Sequence, residues 1–214
     1  MRKIVINRFV LTGAAFAVTL LSSFQLQAQS RKPKQPSTQQ SNAATTSPRS
    51  AELEADIKAA TPGAAHQLLL KRVGEYTTTS RFTIPGSAPT ESTGTARISA
   101  ALDGRFLVEE NSGSLLGAPI RGLRYYGYNN GSGKYEAIWT YTMSTAIMTL
   151  VGTSADGGKT VSYTATHDDA NGAKQTLYVT TKQIDDDNFV EQIHGVNPDG
   201  TRGATVETTY VRRK

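Results

Sequence analysis

The chain has 214 residues, 37% hydrophobic, 19% charged and 7% aromatic, which is one domain's length with a remainder. It has no cysteine, which excludes disulfides, zinc–thiolate sites, cysteine nucleophiles and lipid-modified cysteines. The net charge of +5 is uneven: residues 1–50 hold seven basic residues and no acid, whereas 51–214 hold 16 basic against 18 acidic residues, so a nucleic-acid partner is not expected.

Residues 1–28 have the order of a secretory signal peptide. Arg2, Lys3 and Arg8 are followed by the 13-residue apolar run 9–21, FVLTGAAFAVTLL, and then by polar SSFQLQA. A spanning helix needs about 20 apolar residues, so stable membrane insertion is not expected once the segment is cleaved; the other possibility is an uncleaved anchor. Cleavage after Ala28 puts the rather large Leu26 at −3. The expected location is periplasmic or secreted. Residues 29–50 are rich in Ser, Thr, Gln and Pro, carry four basic residues, and have no aromatic or branched aliphatic side chain. They read as a disordered basic linker, a solvated spacer able at most to touch anionic surfaces weakly.

A helical segment is expected over 51–72, packed on the domain that follows. Ala51–Ala60 is built of helix formers, with acids near its start. Thr61 and Pro62 suit an N-cap and first position of a second helix running Pro62–Arg72, with Leu68, Leu69 and Leu70 as its apolar patch.

From Val73 to the end, the pattern is strands and turns. Expected strands are 73–83, 92–102, 105–116, 120–130, 134–141, 146–154, 159–167, 174–184, 188–195 and 204–213, punctuated by PGSAP, DG, GAP, NNGSG, DGG, DDANG, DDD and NPDG. From the second strand on, the starts lie 12–16 residues apart, too close for parallel crossovers. The fold class is therefore all-β: about ten antiparallel strands over 73–214. Closing an up-and-down barrel removes the two exposed edges and leaves room for one small ligand; an open two-sheet sandwich is the alternative.

Several stretches carry a resemblance: PGAAHQLLLKRVGEY (62–76), STGTARISAALDGRFL (92–107), YGYNNGSGKYEAIWTYTMSTAIMTLVGT (126–153) and VETTYVRRK (206–214). Over 62–214 the chain resembles the bacterial domain of unknown function 1579 family. It departs at Tyr76, where that family more often has Trp. The resemblance implies a barrel similar to the lipocalin and fatty-acid-binding proteins, with no established activity.

No catalytic signature stands out. There is no G-x-S-x-G, no phosphate-cradling loop and no metal-spaced histidine pair, and Glu109 and Glu110 are neighbours on a strand and point to opposite faces. Neither a metal nor a cofactor is expected, and an enzyme is the less favoured reading. The acidic turns lack the spacing of a calcium loop.

The candidate residues are those able to line a pocket. Tyr135, Ala137, Trp139 and Tyr141 share one parity, as do Arg124, Tyr126 and Tyr128 on the strand before, and Phe106, Val108 and Glu110 on the strand before that. If those faces point inward, the interior is aromatic with one charged group, which suits an amphipathic ligand. Arg105 is the candidate charged anchor, with Tyr128, Trp139, Tyr141 and Met143 in or near the wall; the competing reading makes the aromatics and Met143 core filler. His66 is a pocket polar group or, more simply, a helix-to-barrel hydrogen bond. His194 is a candidate haem ligand on a late strand, and His167 belongs to a solvated turn. The expected partner is a small apolar or amphipathic molecule. The alternatives are a haem-binding or isomerase-type enzyme on the same barrel, and a fully packed structural or interaction domain.

Overall fold

The computed structural model describes residues 48–168, 172–197 and 199–214. Residues 1–28, read as a signal peptide, most of 29–50, read as a linker, and parts of the DDANG and NPDG turns lie outside the described residues. No helix among the described residues is long and apolar enough to cross a membrane.

Two helices precede ten strands: α1 Pro48–Ala60 and α2 Ala64–Leu70, then β1 Gly74–Thr83, β2 Thr90–Ala101, β3 Phe106–Leu115, β4 Ala118–Asn129, β5 Lys134–Tyr141, β6 Met148–Thr153, β7 Thr160–Asp168, β8 Lys174–Gln183, β9 Asn188–Val196 and β10 Arg202–Arg212. The second helix starts later than its sequence suggests. Its N-cap is Gly63, while the Thr61 hydroxyl donates back to the Ile57 carbonyl at 2.7 Å. The Gly63 N–H donates to Nδ1 of His66 at 3.0 Å, so His66 supplies the cap that Thr61 does not.

Each strand pairs antiparallel with the next, and β1 closes on β10 from Tyr76↔Arg212 to Thr83↔Thr205. The sheet is a closed ten-stranded barrel, not an open sandwich. Closure satisfies both edges with ladder hydrogen bonds. The short connections make this the only economical pairing, since each places neighbouring strands side by side.

The inside of the barrel is divided along its axis. At the end holding the β2–β3 and β4–β5 turns, Tyr76, Ile98, Leu107, Val161 and Val179 are almost wholly buried. Burial of side chains of this size stabilises by roughly 1.5–3 kcal/mol each. Phe189 stacks on Tyr210 at 4.0 Å between ring centroids, and Tyr76 meets Phe189 edge-on at 5.3 Å. Helix α2 lies across this end and buries Leu69 and His66. Arg72, just beyond the helix, donates to Gln183 Oε1 at 3.1 Å and Thr181 Oγ1 at 3.2 Å, and its own carbonyl accepts from the Tyr76 hydroxyl at 2.9 Å. That end is plugged; the opposite end is not.

Candidate functional site

The open half holds a cavity of about 520 Å³. It is reached between the β1–β2, β3–β4, β5–β6, β7–β8 and β9–β10 connections. One wall is apolar and aromatic: Ile120, Trp139, Tyr141, Met148, Leu177 and Ile193. The facing wall, from β1, β2 and β10, mixes hydroxyls of Thr78, Ser80, Ser92 and Thr208 with the apolar side chains of Phe82 and Val206. Ser80 and Thr208 already share a hydrogen bond of 2.9 Å. A largely apolar lining with hydroxyls on one side suits an amphipathic guest.

The floor is a charged cluster on four strands. Arg124 from β4 makes a two-pronged contact with Glu191 from β9: Nη2 donates to Oε1 at 2.9 Å and Nη1 donates to Oε2. Glu109 from β3 brings Oε2 to 3.7 Å from the same Nη1. The Tyr210 hydroxyl donates to Glu109 Oε1 at 3.0 Å, and Asn111 Nδ2 donates to it at 3.3 Å. All of Arg124, Glu109, Glu191 and Tyr210 are buried. Burial opposes the charge on Arg124, but Glu191 and then Glu109 outweigh it and hold the guanidinium firmly protonated. Burial, reinforced by Glu109 and Glu191, pushes the Tyr210 phenol far above its ordinary range. Beneath this floor only about 10 Å³ of space is left, so the cavity ends here.

Two hydrogen-bond donors at the floor meet no acceptor among the described residues: Arg124 Nε and Trp139 Nε1. They belong to directly paired residues of β4 and β5, and the guanidinium lies over the indole at 5.1 Å. Trp139 in turn packs against Tyr141, with ring centroids 5.2 Å apart.

The structure brings together only some of the sequence candidates. Trp139 and Tyr141 line the cavity. Tyr128 faces inward but at the plugged end, edge-on to His66 at 5.9 Å and to Tyr135 at 4.9 Å. His66 is buried there as helix cap and packing partner. Arg105 sits outside the barrel at the plugged end, donating to the carbonyls of Ala60 and Leu102 at 3.1 and 3.3 Å. It lies in the β2–β3 turn, whose reversal turns its side chain toward α1, so the charged group of the interior is Arg124 instead. Met143 is exposed in the β5–β6 connection. His194 points outward, because Phe189, Glu191 and Ile193 take the inward parity of β9; it stacks on Tyr178 at 5.1 Å. A haem held inside the barrel is therefore not within its reach.

On β3 the inward residues are Leu107 and Glu109, and Phe106, Val108 and Glu110 face out. His167, read as a solvated turn residue, is half-buried at the end of β7 and lines the cavity mouth. Sequence reasoning missed Glu109, Glu191, Tyr210 and His167. The available signal was a single acid at an otherwise apolar parity: Leu107-x-Glu109 and Phe189-x-Glu191-x-Ile193.

These features define a closed up-and-down β-barrel, packed at one end and hollow at the other. The chain belongs to the family described as "Protein of unknown function (DUF1579)", whose model matches residues 61–212. Among curated proteins no sequence matches the chain. Among solved structures, Rv2717c from M. tuberculosis is similar at 14% identity over 72% of this chain and 100% of that one, with a TM-score of 0.53. The S-type phycobiliprotein lyase CPES from Guillardia theta aligns at 10% identity over 74% and 97%, with a TM-score of 0.48. The likeness to the M. tuberculosis protein is one of fold.

Proposed function

We propose that this protein is a binding barrel for one small apolar or amphipathic molecule, held in the open half with its polar end toward Arg124 and Trp139. The observation that carries this is the cavity of about 520 Å³, apolar on one wall, with two unpartnered buried donors at its floor. A volume of this size lies within the range of small-molecule sites, roughly 300–1,000 Å³. Buried donors are normally satisfied, and a ligand acceptor is one way to satisfy these. No nucleophile–base pair faces the cavity among the described residues, which favours a carrier or sensor over an enzyme. We further infer that the barrel works outside the cytoplasm, exported by the 1–28 segment and preceded by the 29–50 linker. The basic n-region and apolar run support this.

Native mass spectrometry of the protein purified from its host tests both parts. The expected species is a chain beginning near Gln29 with one organic adduct that is lost on denaturation. A chain that keeps residues 1–28 and fractionates with the cytoplasm contradicts export. An adduct-free chain that also binds no apolar probe contradicts the binding role.

A further inference from the structure

We propose that the cavity selects ligands whose polar end is an uncharged hydrogen-bond acceptor, such as a ketone, ester or ether oxygen, over ligands ending in a carboxylate. This rests on the binding role proposed above and specifies its ligand class.

The floor is short of acceptors, not of cations. Arg124 Nε and Trp139 Nε1 both have hydrogen to donate and meet no acceptor among the described residues. They come from residues paired across β4 and β5 that both line the cavity, and a slight shift of either side chain opens its buried N–H to an oxygen entering along the aromatic wall. The acceptors already present are aimed elsewhere. Both Glu191 oxygens take Arg124, Glu109 Oε1 takes the Tyr210 hydroxyl and the Asn111 amide, and Glu109 Oε2 faces Arg124 Nη1 at 3.7 Å.

The charge at the floor also opposes an anion. Arg124 faces two carboxylates, Glu191 in contact and Glu109 at 3.7 Å, so the cluster carries one negative charge in excess. The other cation beneath the floor is Arg72. Its guanidinium bonds to Gln183 and Thr181 and lies over the Phe189 ring at 5.1 Å. Counting it, the interior is neutral, with no surplus positive charge to meet a carboxylate. A carboxylate head would have to displace Glu191 from Arg124 or sit beside it in a medium where like charges repel strongly. A neutral oxygen accepts the two free hydrogens and leaves the Arg124–Glu191 pair intact.

Trp139 is the only tryptophan of the chain, so its fluorescence reports occupancy of the floor directly. The full mature chain is titrated at neutral pH with 2-dodecanone and with dodecanoate, which share a chain length and differ in the head. The ketone should bind about tenfold more tightly or better, a gap of the size one neutral hydrogen bond produces. Glu191→Gln removes one negative charge and should narrow or reverse that gap, whereas Glu110→Gln, on the outer face, should leave it unchanged. Circular dichroism checks the fold of each variant, and Glu109→Gln serves in place of Glu191→Gln if the latter does not fold. Dodecanoate binding as tightly as the ketone in the unmodified protein overturns the selectivity and leaves the binding role standing. If neither probe changes Trp139 fluorescence, both fall together.

Discussion

Arg124 occupies an inward position on β4 where apolar or aromatic side chains would pack without desolvation. Its charge is tolerated because Glu191 and Glu109 surround it. Removing one member of such a cluster is far more damaging than removing an opposed pair. Arg124→Met should therefore cost about 3–5 kcal/mol, since it leaves two buried carboxylates facing each other without a cation. The double variant Arg124→Met with Glu191→Leu should be more stable than Arg124→Met alone, with Glu109 still held by Tyr210 and Asn111. Urea unfolding of the unmodified protein, the two single variants and the double variant measures this; additive losses would show that the pair is not coupled. Sequence parity alone placed Arg124 beside Tyr126 and Tyr128 correctly, because that strand alternates clearly. Glu109, 15 residues upstream, meets Arg124 directly across the β3–β4 hairpin, but parity could not show that Glu191, 67 residues downstream, arrives at the same point, because barrel closure sets that meeting.

The strands themselves were legible wherever turn residues and alternation agreed. Strand β5 runs over Lys134–Tyr141 as its sequence indicates, with Tyr135, Ala137 and Trp139 inward. Strand β3 misleads because Phe106, Leu107 and Val108 are three apolar residues in a row, so hydrophobicity does not choose a face. Contacts outside β3 choose it: Phe106 stacks on Tyr125 of β4 at 4.9 Å on the outer surface and covers Gly127. The β3–β4 turn is another element with a local cost. Leu116 and Gly117 both have positive φ, 52° and 83°. That backbone suits Asn-Gly, and a Leu there is strained by roughly 1–2 kcal/mol. Leu116 is 61% exposed and gains little packing in return. Leu116→Asn should raise the thermal midpoint, read by circular dichroism, through a gain of about 1 kcal/mol. A lower midpoint would mean that the Leu116 side chain contributes more at the cavity mouth than its exposure indicates.

For the molecule as a whole, the packed half depends on neutral tyrosines. Burial raises the phenols of Tyr76, Tyr126, Tyr135, Tyr163 and Tyr210 above their ordinary value of 10.0, Tyr163 to about 12. Below pH 10 folded and unfolded chains both keep these protons, and the full stability is present. As pH rises from about 10 toward 12, the unfolded chain loses them first and stability falls. Tyr163 alone accounts for about 3 kcal/mol across that interval. Tyrosinate absorbance from the buried phenols and loss of the β circular dichroism signal should therefore appear together in that range. Full tyrosine ionisation with the β signal intact would contradict the packed end.

The hollow end carries the functional claim. An isotope-labelled protein gives a single tryptophan indole N–H signal, that of Trp139, whose hydrogen meets no acceptor in the described fold. Titration with 2-dodecanone should move that signal downfield as the hydrogen acquires an acceptor, with shifts at cavity residues such as Ile193 and Thr208 and none at Tyr128 or His66 of the plugged end. Binding of the ketone with the Trp139 signal unmoved, and with shifts confined to the outer surface or the α2 end, would contradict a ligand site inside the barrel.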